Sequence, residues 1–564
     1  MRGPGEPSPR VETTTPDAGP SVPGETPEPP AATGTRAAWM VGGGIFLSRI
    51  AGLVRESVFG FFFGLSPVAD VFRVALRTPN VIQNLLGEGT LSASMIPVYA
   101  GFLERGREED GGRFAGAALG ILATVAYGGA LVGILLAGVL VPVVFFGWEP
   151  WQQDLMVRLI RILFVMTATL SVSAWALGIL NSHGRFFVSY VAPVAWNLAF
   201  IVTMVVFGGL RGWEPERLVV ALAWAGLAGG VLQLLVQLPF LVPVLKGFRI
   251  SLSRRVEGVR EAIHNFWPVV TARGVVNMSS LLDLWLATFL ADGAAAALGY
   301  SQTFYLLPIS LFGMAIAASE LPALSRQGVG QTAALVPRVR VSLERLAFLL
   351  VPSALAFLVL GDVFVAGFYE RGLFPRDGTT LVYAVLAAYA LGLVASASSR
   401  LLSSTFYALR DTRTPARVAY LRIAVSVAVG AALMLPADRL SVGSFSFGAT
   451  GLALGATVGA WLEYALLRRS LTRAIGAHGP APGRLARIGV AGVVAALVGA
   501  GAKLVLGSAV PAHDGWVHGL LASSPGLVHP VLAVGTALTF GVAYLAVAGA
   551  LGVGMPVGRI LRRG

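Results

Sequence analysis

A chain of 564 residues that is 55% hydrophobic and 13% charged, with a mean hydropathy of +0.74, has too little polar surface for a soluble globular protein and reads as a polytopic membrane protein. Its net charge of +13 invites a nucleic-acid reading, but the basic residues sit in short loops between apolar spans, the pattern that membrane orientation produces, and that placement argues against it. The absence of cysteine excludes disulfides, thiolate metal sites and cysteine nucleophiles.

Residues 1–37 are rich in Pro, Gly, Thr and Glu and predict a disordered cytoplasmic tail. The tail lacks the layout of a cleavable signal peptide, so the first span is expected to double as the insertion signal. Windows of about twenty apolar residues then predict fourteen spans. The first six lie near 38–64, 71–103, 114–146, 155–181, 187–208 and 217–245. Six more lie near 260–290, 295–325, 340–360, 378–408, 416–436 and 448–468, and two follow near 486–507 and 529–553. Connections after the even-numbered spans carry the basic residues, Arg105, Arg107, Arg185, Lys246, Arg249, Arg410 and Arg413 among them, which predicts both termini in the cytoplasm.

The first twelve spans read as two related halves, 38–246 and 247–470. In each, a small-residue segment with a Pro closes the second span (EGTLSASMIPVY, AIAASELPALS), and a basic turn follows the fourth (LNSHGRFFVSYVAP, FYALRDTRTP). Six-helix repeats around a midplane site are how many secondary transporters are built. The expected fold is therefore all-α, with two pseudo-symmetric six-helix lobes around a central cavity. Residues 471–564 add two accessory helices and a basic C-terminus.

The strongest charges in membrane-grade sequence lie between Ser48 and Pro97. Each costs roughly 2.5–3.5 kcal/mol at a bilayer centre, so each calls for a use. Glu56, Arg73 and Arg77 read equally well as snorkelling helix ends or as cavity charges. Arg49 and Arg55 point to a cationic, water-filled cavity for an anionic solute. Six residues apart, they diverge by about 120° on an ideal helix, and a bend or local unwinding at Gly52 would bring both to one cavity. Guanidinium suits a diphosphate because its planar fork donates paired hydrogen bonds. In the second span, Pro79 is expected to bend RTPNVIQNLLGEG, with Glu88 as an arginine's ion pair or a gating carboxylate. Asp70 either caps that helix or latches an outer gate. The seventh span carries Arg273 and Asp283 on similar faces about 15 Å apart. The eighth offers Gln302 and Thr303 as neutral hydrogen-bonding groups. Glu463 in the twelfth reads as half of an interhelical ion pair.

SRIAGLVRE, VADVFRVALRTPN, EGTLSASMIPVY, FYERGLFPRDGTT and FYALRDTRTP, in this order and spacing over about residues 38–470, resemble the lipid II flippases of the MurJ/MviN type, within the multidrug, oligosaccharidyl-lipid and polysaccharide exporter superfamily. The resemblance implies that Arg49 and Arg55 are cavity arginines, that Asp70 is the acidic residue opening the second helix, and that Glu88 is the Glu of the family's EG pair. The chain departs from the family where arginines are common, with Gln83 and Asn84 after the Pro79–Asn80 pair and Thr303 after the eighth-span Tyr. Arg273 is expected to restore one of those charges. Arg49, Arg55, Gln83, Asn84, Glu88, Arg273 and Thr303 are thus the expected cavity residues, and Asp70, Asn80 and Asp283 the gating or pairing ones.

The function so implied is movement of an undecaprenyl-diphosphate-linked disaccharide-pentapeptide to the outer leaflet of the bacterial cytoplasmic membrane by alternating access. No catalysis, cofactor, metal or nucleic acid is expected. The partners expected are this lipid-linked precursor and the bilayer, with cell-wall synthesis enzymes left open. The rival readings are export of another polyprenyl-linked saccharide, of a small cationic solute, which the arginines oppose, or a transport-dead scaffold. A membrane-embedded glycosyltransferase or phosphatase would need convergent acidic or His groups at one membrane face, and an ATP-driven pump a nucleotide loop; neither is present in the sequence.

Overall fold

The computed structural model describes residues 35–86, 90–91, 94–313 and 332–554. The expected tail falls almost wholly outside them. Fourteen spans follow one another among the described residues. α1 is Thr35–Phe63, α2 Pro67–Leu86 with a further helical piece at Ile96–Glu104, α3 Glu108–Val144 and α4 Pro150–Ser182. α5 is Phe186–Thr203, running into a π-turn at Met204–Leu210, and α6 is Pro215–Leu241. α7 is Val259–Ala287, α8 Ala294–Pro308 with a π-turn at Ile309–Gly313, and α9 Thr332–Tyr369. α10 comprises Arg376–Ala390 and Leu393–Ala408, bent by 42° at the break. α11 is Arg413–Asp438, α12 Gly448–Ile475, α13 Pro482–Leu506 and α14 Val528–Ala550. The only sheet among the described residues is the hairpin of β1 (Ser441–Val442) and β2 (Phe445–Ser446) between α11 and α12. Among the described residues, nine of the helices are individually long and apolar enough to cross a membrane. α2 carries three charges in twenty residues, Asp70, Arg73 and Arg77.

Local chemistry sets the ends of these helices. α4 opens on a capping box, Glu149 with Gln152, and Pro150 fills a first-turn position whose N–H needs no partner. α1 stops at Gly64, whose φ of +52° is left-handed and whose missing Cβ leaves room for the Leu373 carbonyl. Leu373 N–H in turn donates to the Phe61 carbonyl at 2.8 Å, tying the end of α1 to the loop between α9 and α10.

The largest buried apolar cluster draws on every helix from α1 to α12. A second packs the Ile96–Glu104 helix against α3 and α4, and a third packs α13 and α14 onto α9. Leu135 and Val139 on α3, Leu497 on α13 and Val542 on α14 stay exposed, as residues facing lipid do.

Candidate functional site

α1 and α2 bring three charges together inside the bundle. Glu56 accepts a hydrogen bond from Arg55 Nη2 at 2.7 Å, and its other carboxylate oxygen lies 2.7 Å from Arg73 Nη2 as an ion pair without hydrogen-bond alignment. The side chains are only 20%, 12% and 15% exposed for Arg55, Glu56 and Arg73, so all three lie away from bulk water and none snorkels. Aromatic faces complete the surroundings. The Arg55 guanidinium lies over Trp196 and Phe200 of α5, at 4.9 and 5.7 Å, and that of Arg73 over Phe59 and Tyr300, at 4.9 and 4.5 Å. Gly299 on α8 makes this possible, since a Cβ there would come within 3.0 Å of Arg73 Nε. One carboxylate shared by two guanidiniums leaves the cluster with a net positive charge and with donors to spare. Such a site attracts an anion of phosphate or carboxylate type.

Arg49 lies one and a half turns before Arg55, exposed and without an ion pair among the described residues. α1 is one continuous helix through Gly52, so the backbone there is not unwound. Arg77 continues the positive line along α2, with Arg73, Tyr389 and Asp283 as its charged and polar neighbours. Arg77 itself is exposed.

Asp283 lies at the start of a second polar cluster, near Arg77 and Arg422. Arg422 on α11 pairs with Glu463 on α12 at 2.9 Å, the interhelical pair expected for Glu463. Tyr305 donates to Ser396 at 2.7 Å and stacks on Tyr389, which accepts from Gln302 at 3.2 Å. Thr303 gives its hydroxyl to its own helix, at the Gly299 carbonyl.

Asp70 caps a helix, but not its own. Its two carboxylate oxygens accept the backbone N–H groups of Gly293 (2.6 Å) and Ala296 (2.7 Å) at the start of α8, and the residue is 5% exposed. A carboxylate on those N–H groups also meets the positive end of the α8 dipole. Beside it Tyr300 donates to the Gly64 carbonyl at 2.8 Å, and Ser57 to that of Phe368 at 2.7 Å. At the end of the bundle reached by the odd-numbered connections, these bonds tie α1, α2, α8 and α9 together.

Asn80 lies half-buried after Pro79, and its carbonyl oxygen has no protein partner. Glu88 lies outside the described residues. Gln83, Asn84 and Arg273 lie on α2 and α7, with side chains that are likewise outside the described set. The sequence reading missed the aromatic walls, Trp196, Tyr300 and Tyr389, and the Arg422 and Arg400 side of the second cluster. The one signal it held was the adjacency of Arg55 and Glu56 in an apolar helix.

A family model described as lipid II flippase MurJ matches residues 60–524. The chain is 34% identical over 475 residues to lipid II flippase MurJ of Burkholderia cenocepacia, covering 83% of this chain and 89% of that protein. It is 32% identical over 444 residues to probable lipid II flippase MurJ of Rhizobium tropici, covering 77% and 80%. Its fold is similar to that of an inward-closed structure of lipid II flippase MurJ, with a TM-score of 0.69, 19% identity and coverage of 90% of this chain and 98% of that one. It is also similar to an inward-facing multidrug resistance MATE family transporter of the MOP superfamily, at a TM-score of 0.61, 16% identity and coverage of 75% and 94%.

Proposed function

Because the chain belongs to the MurJ family of lipid II flippases, we propose that it moves the undecaprenyl-diphosphate-linked disaccharide-pentapeptide from the inner to the outer leaflet of a bacterial cytoplasmic membrane. The observation that carries this reading is the Arg55–Glu56–Arg73 cluster: guanidiniums kept out of bulk water, on aromatic walls, with an excess of positive charge. In such a site a diphosphate finds paired donors at low dielectric, whereas a cationic solute meets repulsion.

Basic residues in the even-numbered connections support a cytoplasmic location for that face and for both termini. The face closed by Asp70 is then the outer one. A diphosphate headgroup enters from the cytoplasm, engages Arg55 with Arg49 and Arg77, and leaves outward once the α1–α2 corner releases α8 and the α9–α10 loop. The lobes that move are 38–246 and 247–470, and the polyprenyl tail stays in the bilayer. An inside-negative potential favours outward movement of the anion by about 2.3 kcal/mol per charge per 100 mV. Arg273, Glu88, Gln83, Asn84 and Thr303 belong to the same cavity in this reading. Asp70, Asn80 and Asp283 act in gating or pairing.

The test is complementation of a strain depleted of its own lipid II flippase, at equal membrane abundance of each protein. The parent is expected to restore growth, and Arg49→Ala, Arg55→Ala and Arg273→Ala to fail. A well-expressed parent that fails would reassign the chain to another polyprenyl-linked saccharide.

A further inference from the structure

A second site lies on the lipid side of α4–α6, at the same end of the bundle as Asp70 and apart from the arginine cluster. A groove of about 940 Å³ opens there between the first turns of α4, the π-turn that ends α5, and α6. Its contents change with depth. Its polar lining is Asp154 and Arg158, within the first three turns of α4, and Glu216 and Arg217, in the first turn of α6: two cations and two anions. Among the described residues Asp154, Arg158 and Glu216 make no hydrogen bond or ion pair, and Arg217 is held over the Trp213 ring at 3.9 Å. Below the mouth the floor is Val220, Ala221, Ala225 and Ala228, between Phe207 and the half-exposed Trp224. From Pro215 to Ala228 the α6 axis rises by roughly 20 Å at 1.5 Å per residue, close to the ~15 Å hydrocarbon depth of one leaflet. π-turns concentrate at functional positions because they widen a helix locally, and this one supplies the Phe207 wall, with Phe207 packed on Trp213 at 4.4 Å.

We propose that this groove is a binding site for a bilayer phospholipid with a zwitterionic phosphate–ammonium headgroup. One acyl chain lies along the alanine face of α6. The phosphate meets Arg158 and Arg217, and the ammonium meets Asp154 and Glu216. Charge balance selects the headgroup: an anionic lipid, or a diphosphate, gains two arginines but faces two uncompensated carboxylates. Trp151, in the first turn of α4, and Trp213, just before α6, also line the groove, and tryptophan favours the headgroup level of a membrane. This site does not depend on which solute the central cavity carries.

Native mass spectrometry of the delipidated full chain, offered phosphatidylethanolamine, phosphatidylglycerol or undecaprenyl diphosphate in turn, tests it. The expected result is phosphatidylethanolamine retained roughly tenfold more tightly than phosphatidylglycerol, the worth of one charge-assisted contact. Asp154→Asn combined with Glu216→Gln should erase that preference while leaving total phospholipid binding. Ala228→Phe, at an exposed position on the groove floor, should abolish the tight adduct with unchanged thermal unfolding. Preference for phosphatidylglycerol or for undecaprenyl diphosphate, or full retention of phosphatidylethanolamine by Ala228→Phe, overturns the proposal.

Discussion

Glu56 holds two guanidiniums with one carboxylate, so the members of the cluster are unequal. Like charges held away from bulk water repel one another, and Arg55 and Arg73 tolerate one another because Glu56 lies between them. Glu56→Gln strands both cations, and the unfolding free energy in a detergent-to-SDS titration is expected to fall by about 3–5 kcal/mol. Arg73→Met leaves the Arg55–Glu56 bond intact, and a smaller loss of about 1–2 kcal/mol is expected. If Arg73→Met costs as much as Glu56→Gln, the carboxylate is not the anchor. Arg55 was legible in the sequence because a charge in an apolar run declares itself by its cost. Its neighbour Glu56 and the more distant Arg73 were not, since each could have snorkelled from a helix end. Only tertiary packing, with Phe59 and Tyr300 around the Arg73 guanidinium, decides between those fates.

At the scale of helices, the seam between α2 and α8 rests on Asp70. An amide offers one acceptor where the carboxylate offers two and loses the charge that favours the α8 N-terminus. Asp70→Asn therefore weakens closure by one charge-assisted bond. With no native cysteine to interfere, Leu65→Cys, at a residue 4% exposed beside Gly293, reports on opening. Its maleimide labelling in detergent is expected to rise roughly tenfold in the Asp70→Asn background. Unchanged labelling would mean that Asp70 takes no part in closure. A similar cap orders the turn before α11. Burial alone would raise the pKa of Asp411, but the Thr414 hydroxyl and the N–H groups of Thr414 and Arg413 outweigh it and hold the carboxyl below its ordinary 3.8. A carboxyl depressed on folding stabilises above its unfolded value and stops doing so as pH falls through the folded one. Asp411→Ala should thus cost about 1 kcal/mol at neutral pH, a difference that shrinks once pH drops below the ordinary carboxylate value. Hydropathy located the helices themselves well, but not every end. α3 begins at Glu108, ahead of the expected 114, because three acidic residues suit a helix N-terminus without being apolar. Hydropathy is blind to that preference, as it is to whether Gly52 bends its helix.

For the whole molecule, the question is how α13 and α14, which lie outside the proposed repeat, are fixed to the rest. They pack on each other and on α9, and one fully buried carboxylate organises the contact. Asp362, at 0% exposure, receives Lys503 Nζ at 2.6 Å, the Ser508 hydroxyl at 3.2 Å and the Val510 N–H at 3.0 Å. The sequence displayed Asp362 and Lys503 in separate apolar spans with nothing to pair them, and their meeting depends on how α13 crosses α9. Breaking such a pair from one side leaves a charge buried without a counter-ion, so Lys503→Met should lower the unfolding free energy by about 3–5 kcal/mol. Adding Asp362→Asn removes the stranded charge while keeping an acceptor for Val510, and most of the loss should return. Recovery in the double variant identifies the loss in Lys503→Met as that of a stranded carboxylate, and its absence would mean that the loss has another origin than the unpaired charge. A clasp on α9 makes α13 and α14 travel with the second half of the chain. Complementation by the double variant should then match the parent, because the Arg55 cluster and the Asp70 seam lie elsewhere in the bundle.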